Sequence, residues 1–460
     1  MNSNASENEF DLLVVGAGLA GSEAAALAAR AGLRVRLVDQ KPAERTPAQK
    51  LDGPAELVCS NSLGSADTGT AGGLLKAEMR LLGSVILLAA DAARVPAGGA
   101  LAVNREAMSD KVAELLDTHG VRLSPERIDA LPDTPCVIGT GPLTADALAG
   151  AIAQATGRDA LFFFDATSPI VAADTIDMDI AYAAARWGKG EPDYINCPMN
   201  KDEYEAFYAA LTEAEKVTPH EFENKCVFEG CMPIEVMAAR GVDTLRYGPM
   251  RPVGLEDPRT GKRPYAVVQL RKEDADGEAY NLVGFQTRMK WGDQQRVLRM
   301  IPGLSDAEFL RLGVIHRNTF VDGPRVLDAT LRLNAKPNVR LAGQMTGVEG
   351  YTESAACGLM AGLFAAAEAK GIEIAPPPET TMIGALLRHV TASPTHPFQP
   401  MNANLGILPA IEIPGGKRVG KKERRAAKIE RALADFRRWV AELDPRLLGG
   451  PSAETGRAVV

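Results

Sequence analysis

A two-part α/β fold carrying a smaller inserted α+β domain follows from three features of the chain. A glycine cluster sits between two short apolar runs near the start. Between about Ile180 and Leu310 the texture shifts toward charges, aromatics and proline. A strand–glycine–helix texture rich in small residues then returns after Asn338.

The first feature spans Phe10 to Gln40. Leu12 to Val15 is an apolar strand, Ser22 to Arg30 reads as an Ala-rich helix, and Val35 to Val38 is a second strand ending in Asp39. Between strand and helix lies Gly16-Ala17-Gly18-Leu19-Ala20-Gly21. In a βαβ unit the first glycine allows the turn, the second lets backbone approach a pyrophosphate, and the third lets helix and strand pack closely. The helix start then faces the phosphates, and Asp39 is placed to bind a ribose. A GxGxxG string alone is weak; here its whole context is present. It implies a dinucleotide and leaves FAD and NAD open.

Further along, Ala71 to Val85 has helical periodicity, Ala92 to Ala100 reads as a small-residue loop, and Leu101 to Val103 as a strand. Arg105 to His119 reads as an amphipathic helix. Cys136 to Ile138 leads into Gly139-Thr140-Gly141, which is either a backbone approach to the cofactor or an ordinary turn. In the middle segment, Tyr265 to Leu270 and Tyr280 to Phe285 alternate as strands, with a hairpin turn at Asp274 to Glu278. The late segment has a strand from Asn338 into Gly343-Gln344, then Gly350-Tyr351, then a helix from Thr352 to Lys370. Paired with the early glycines, this arrangement is that of two-part flavoproteins. The late helix aims its positive end at a flavin ring, which favours FAD over NAD. The expected organisation is a Rossmann-like FAD-binding domain in two parts, 9–180 and 325–445, around an inserted α+β domain at 181–324. The ends, 1–8 and 446–460, are expected to be flexible.

The chain has 460 residues, is 46% hydrophobic and carries a net charge of −8. That balance gives no overall attraction to nucleic acid. The start lacks the basic and apolar regions of a signal peptide, no apolar run reaches membrane-span length, and a cytoplasmic setting is expected. The charge is uneven. Lys417 to Arg438 holds ten Lys or Arg against three acids, a local net of +7. Lys421, Lys422, Arg424 and Arg425 fall in this run, which is either a solvated helix face or an RNA-facing surface. Arg288, Lys290, Trp291, Arg296 and Arg299 form a second basic cluster that could neutralise phosphates and stack a base.

Six cysteines show no metal-type CxxC pairs and no dense disulfide spacing. Cys231 lies on a turn between Gly230 and Pro233, and Cys59 lies in a polar loop, so both are candidate reactive thiols. Cys136 and Cys357 sit among apolar or small residues and read as buried hydrophobes. Cys226 and Cys231 have the CxxxxC spacing of flavin-linked disulfide reductases. They lie far from the first glycines, which keeps a flavin thiol–disulfide oxidoreductase as a rival reading.

At these residues the chain resembles the folate- and FAD-dependent tRNA uracil-5-methyltransferases over nearly its whole length. The strings that carry the resemblance include ELVCSNSLG at Glu56 to Gly64, GLLKAEMR at Gly73 to Arg80 and FEGCMPIEVMAARG at Phe228 to Gly241. Others are LVGFQTRMKWGDQQRV at Leu282 to Val297, AGQMTGVEGYTESAACG at Ala342 to Gly358 and HPFQPMNANLGILP at His396 to Pro409. The resemblance implies 5-methyluridine formation in the tRNA T-loop. Methylenetetrahydrofolate would supply the carbon, and NAD(P)H the electrons through FAD. It implies that Cys231 adds to uracil carbon 6 and that Cys59 is a second functional thiol, with the roles open between the two. The same chemistry on ribosomal RNA, and a non-enzymatic RNA-binding flavoprotein, are the remaining alternatives. The chain has Gly64 where the family often carries Arg, and Asp39 where it often carries Glu. No stable protein partner and no membrane association are implied.

Overall fold

The computed structural model describes residues 10–46, 49–157, 161–166, 168–188, 191–216, 232–272, 279–313, 315–394, 398, 400–411 and 420–449. Its first sheet has six strands: β1 (Leu12–Val15), β2 (Val35–Asp39), β3 (Leu123–Pro125), β4 (Cys136–Ile138), β5 (Arg332–Leu333) and β6 (Lys336–Leu341). Their order is β5-β6-β4-β1-β2-β3, parallel except for the β5–β6 pair. All four residues of β1 are buried, as an apolar run central to a covered parallel sheet must be. β4 and β6, far apart in sequence, pair as neighbours, with Val339 opposite Cys136. The two Rossmann-like segments thus build one sheet.

Helix α1 (Leu19–Arg30) follows β1 and starts inside the glycine cluster, earlier than the Ser22 start expected, because Gly18 is already its N-cap. The periodic stretch beginning at Ala71 is two helices, α2 (Ala71–Leu81) and α3 (Val85–Ala92). Gly83, at φ +70°, ends the first, and the Ser84 hydroxyl caps the second by accepting from Leu87 N–H. Helix α3 is apolar around most of its circumference, so periodicity does not reveal it.

Helix α4 (Tyr351–Ala369) lies against α1 at unusually short range. A Cβ on Gly358 would stand 2.1 Å from Ala20 O, and one on Gly362 would stand 2.6 Å from Ala24 O. The alanine and glycine content of both helices is what permits this approach. Two further helices matter below: α5 (Met382–Ala392) and the basic α6 (Lys421–Glu442).

The second sheet is antiparallel, in the order Tyr182–Ala183, Tyr194–Met199, Ala266–Lys272, Ala279–Leu282, Ile170–Ala172, Phe309–Arg311. It begins at Ile170, before the expected boundary at 181. The residues of the expected hairpin turn, Asp274 to Glu278, lie outside the described residues. Tyr204, Phe207 and Phe285 fill a separate apolar core beneath this sheet. The chain passes between the two sheets along a pair of antiparallel strands, Leu161–Ala166 and Ile315–Phe320. At the other end of the chain, Leu447 is fully buried in the first core. The expected flexible tail therefore does not begin at 446: apolar burial fixes the turn Pro445–Leu447. Residues 1–9 and 450–460 lie outside the described residues. Among the described residues no helix is long and apolar enough to cross a membrane.

Candidate functional site

At the C-terminal edge of the parallel sheet, Gly16 takes φ +95°, and a Cβ there would meet Gly139 O and Thr140 N at 2.8 Å. A Cβ on Gly21 would stand 1.7 Å from Gly16 O, so only glycine fits. At Gly18 the nearest atom to such a Cβ is 3.8 Å away, which leaves that side open. Helix α1 starts with no acidic residue in its first turn and no side-chain cap, so its leading N–H groups remain for an anion. The Gly139-Thr140-Gly141 turn lies against the glycine cluster. Asp39, at the end of β2, accepts from Ala17 N–H at 2.7 Å and from Lys41 N–H at 2.9 Å. Gly16, Asp39, Thr140 and Thr144 line a small cavity here. These observations fit the adenosine and pyrophosphate end of a dinucleotide, with Leu19 and Ala20 in the facing helical turn.

A second cavity of about 300 Å³ opens at the N-terminus of α4. Cys59, Lys76, Gln344, Gly350 and Tyr351 are among its lining residues. Helix α4 also lacks a side-chain cap, and its N-cap, Gly350, sits at φ +107°. Gly343, at φ +73°, touches Ala20: a Cβ there would stand 2.8 Å from Ala20 Cβ. The early and late glycine turns therefore lie against each other. The Tyr351 hydroxyl accepts from Cys59 N–H at 2.6 Å and Ser60 N–H at 3.1 Å, fixing the thiol loop to the start of α4. Burial raises the Tyr351 phenol above its usual range, so it stays neutral. Behind the loop, Glu56 accepts from Lys50 and Leu51 N–H and lies 3.6 Å from Lys41, both side chains being buried.

Charged groups in this cavity are perturbed. Burial pulls the Lys76 ammonium down to about 8, opposed by the nearby Glu353. Burial pushes the Glu353 carboxyl up, while Ala403 N–H, 2.9 Å away, pulls it down. Glu349, at 4% exposure, lines the same cavity. A shifted lysine beside a carboxyl in a cleft is a mark of a working site.

Of the thiols, Cys59 is half-buried at the cavity. Cys136 and Cys357 are buried as expected, and burial raises both thiols. Cys197 is also buried and pushed up to about 12. Cys226 and Cys231 lie outside the described residues.

The cluster from Arg288 to Arg299 is less electropositive than the sequence suggests. Lys290 pairs with Glu215 at 2.7 Å and Arg296 with Asp293 at 2.6 Å. Arg288 is nearly buried beside Glu235, and Arg299 donates to Ala307 O. Trp291 is 65% exposed. On α6, Lys422, Arg424 and Arg425 are exposed, and Arg425 donates to Gly69 O at 2.9 Å.

Known proteins bear directly on this arrangement. The model of a family described as Glucose inhibited division protein A matches residues 11–373. A methylenetetrahydrofolate--tRNA-(uracil-5-)-methyltransferase TrmFO from Rhizorhabdus wittichii is 56% identical over 432 residues, covering 93% of this chain and 97% of its own. The protein of that name from Moorella thermoacetica is 55% identical over 420 residues, covering 91% and 96%. The chain belongs to the TrmFO family. The Glucose inhibited division protein A family also includes it. GidA from Aquifex aeolicus, a solved structure, has the same fold at a TM-score of 0.67 and 17% identity, over 95% of this chain and 75% of that one.

Within the TrmFO family string GLLKAEMR, sequence reading assigned no role to Lys76 or Glu78. Lys76 enters the cavity, and Glu78 accepts from Met382 and Ile383 N–H, both at 2.8 Å, at the start of α5. The signal was available: two charged residues, two apart, inside the periodic part of a helix cannot both face water. Glu349 and Glu353 escaped because they read as ordinary polar positions in a loop and a helix start.

Proposed function

We propose that this chain methylates carbon 5 of a T-loop uridine in tRNA, taking the carbon from methylenetetrahydrofolate and electrons from NAD(P)H through FAD. One observation carries the reading beyond family membership: the Cys59 loop is bonded to Tyr351 at a cavity that Gln344 and Gly350 of the late glycine turn line. Gly16, Ala17, Gly18, Leu19, Ala20, Gly21, Asp39, Thr140 and Gly141 would hold the adenosine and pyrophosphate of FAD. Gly343, Gln344, Gly350 and Tyr351 would hold its ring. When bound, FAD supplies electron transfer and a relay for the one-carbon unit.

The chain's own residues do the rest. Uracil carbon 5 becomes nucleophilic only after a thiolate adds at carbon 6, and Cys231 takes that role. Cys59, whose backbone N–H is bonded to Tyr351, is the candidate to move the carbon-5 proton. Lys76, neutral in part near pH 8, and Glu353 set the local charge at the cavity wall. The target base must leave its stack, at a cost of a few kcal/mol, which favours a loop nucleotide. Lys422 on α6, with Lys421 beside it in sequence, and the exposed Trp291 ring are the basic and aromatic groups offered to RNA. NAD(P)H binds transiently, and the enzyme works in the cytoplasm.

The test is an assay with unmodified tRNA, labelled methylenetetrahydrofolate and NAD(P)H. Label should appear in 5-methyluridine with the native chain and vanish with Cys231→Ala. No label with the native chain refutes the reading. Label in ribosomal RNA in place of tRNA would redirect it.

A further inference from the structure

Beside the cavity at α4 lies a larger groove of about 830 Å³ that the proposed chemistry does not use. The two adjoin. Gly72 and Asn402 line the inner cavity, while their chain neighbours Ala71 and Ala403 line the groove. Ala403, Leu405 and Ile411 give the groove an apolar floor, and Arg424, Arg425 and Lys428 of α6 form its wall, with no Asp or Glu among its lining residues.

Two of these cations, Arg425 and Lys428, are oriented by backbone carbonyls. Arg425 Nε donates to Gly69 O at 2.9 Å, and Lys428 Nζ donates to Leu405 O at 3.1 Å and Leu408 O at 2.9 Å. Neither makes an ion pair among the described residues. Arg431, a turn further, donates to Pro409 O and Ala410 O, so α6 fixes the loop that forms the floor. Carbonyl partners orient a cation without neutralising it, and its remaining donor capacity is free for an anion.

We infer that this groove binds the γ-glutamyl tail of the folate co-substrate, and that the chain prefers polyglutamylated folate. The inference rests on the function proposed above. A folate has a flat one-carbon-bearing head, an apolar aminobenzoyl link and a tail of carboxylates. The inner cavity adjoins a groove that offers both an apolar floor and a cationic wall. An RNA backbone would meet the same charges but has no use for an apolar floor recessed beside the reaction cavity. Arg424 and Arg425 thereby serve the co-substrate, and the outer face of α6, with Lys422, is left to RNA.

The test compares methylenetetrahydrofolate carrying one and three glutamates. The native chain should show a KM about tenfold lower for the triglutamate, equal to about 1.4 kcal/mol. In Arg425→Gln, and separately in Arg424→Gln, that ratio should collapse toward one in protein that retains its flavin absorbance. A binding arm uses p-aminobenzoyl-tri-γ-glutamate, which has no one-carbon unit. It should bind the native chain in a salt-dependent way, compete with folate but not with tRNA, and bind the variants at least fivefold more weakly. A native KM ratio near one, or a ratio that survives both variants while KM for tRNA rises, overturns the inference. The binding arm needs no turnover. Tail binding without methylation would refute the proposed function alone, and methylation without length dependence would refute only the groove.

Discussion

Replacing Gly358 with alanine tests whether the α1–α4 contact is what positions the flavin. The added methyl would stand 2.1 Å from Ala20 O and 2.4 Å from Ala20 Cα, whereas ordinary contact begins at 3.4 Å. The obstructing atoms are backbone, so no rotamer change relieves them. The helices must separate by more than an ångström, or α4 must shift along its axis. Overpacking of this kind costs about 1–3 kcal/mol, and the clash against backbone places it at the upper end. The alanine returns roughly 0.5–1 kcal/mol of helix propensity, which leaves a net loss of about 2 kcal/mol. For a cooperative unit of about 300 residues, at about 2.1 cal/mol/K of unfolding entropy per residue, that is a fall in Tm of roughly 3 °C. Ala20 lies in the glycine turn and Gly358 lies two turns into the helix that begins at the cavity, so flavin retention should fall as well. The assay is the ratio of flavin to protein absorbance after gel filtration, with Tm by differential scanning fluorimetry. Gly362→Ala, with its nearest contact at 2.6 Å and one turn further from the cavity, should lose less flavin. A Gly358→Ala protein with full flavin and native Tm would refute the argument.

Other expectations follow from single contacts. Tyr351→Phe removes the acceptor for Cys59 and Ser60 N–H, and should cost about 1–3 kcal/mol and accelerate hydrogen exchange at those two amides. Burial pushes the Glu78 carboxyl up to about 8, so the folded chain keeps a proton that the unfolded chain releases above the ordinary glutamate range. That contribution to stability is full at pH 4 and lost as pH climbs toward 8. The Tm of Glu78→Gln relative to the native chain should therefore rise between pH 5 and pH 8, and a flat difference would contradict this. Burial also raises the Glu23 carboxyl, to about 7, so the variant retains part of the native chain's slope. Finally, Lys290→Gln should barely change the salt dependence of tRNA binding, because Glu215 already pairs with that lysine; Lys422→Gln should lower the slope by about one. Filter binding over a salt series measures both.

The parallel sheet was readable because its strands are apolar and buried, and because glycine spacing reports a turn with strict steric demands. Gly16 and Gly21 could be assigned from sequence since any side chain there meets backbone. The antiparallel unit was readable as a change in texture, but not at its true edge: the strand Ile170–Ala172 is short and looks like a continuation of the first domain. Charge was the least legible feature. A run of basic residues says nothing of partners contributed by distant segments, and Glu215, Glu235 and Asp293 neutralise a cluster that looked like a phosphate site. Tyr351 could be placed from sequence at the start of the late helix; its hold on the Cys59 loop, 292 residues away in sequence, could not.

Helix α2 reaches in two directions. Lys76 faces the cavity, and Glu78 secures the first amides of α5, 304 residues further along the chain. The segment cannot be transplanted into another flavoprotein as a cassette: moved alone, it would carry a buried carboxyl with nothing to cap. Changes that loosen the Thr381–Met382 junction, with no contact to any substrate, would then be felt as altered chemistry at Lys76.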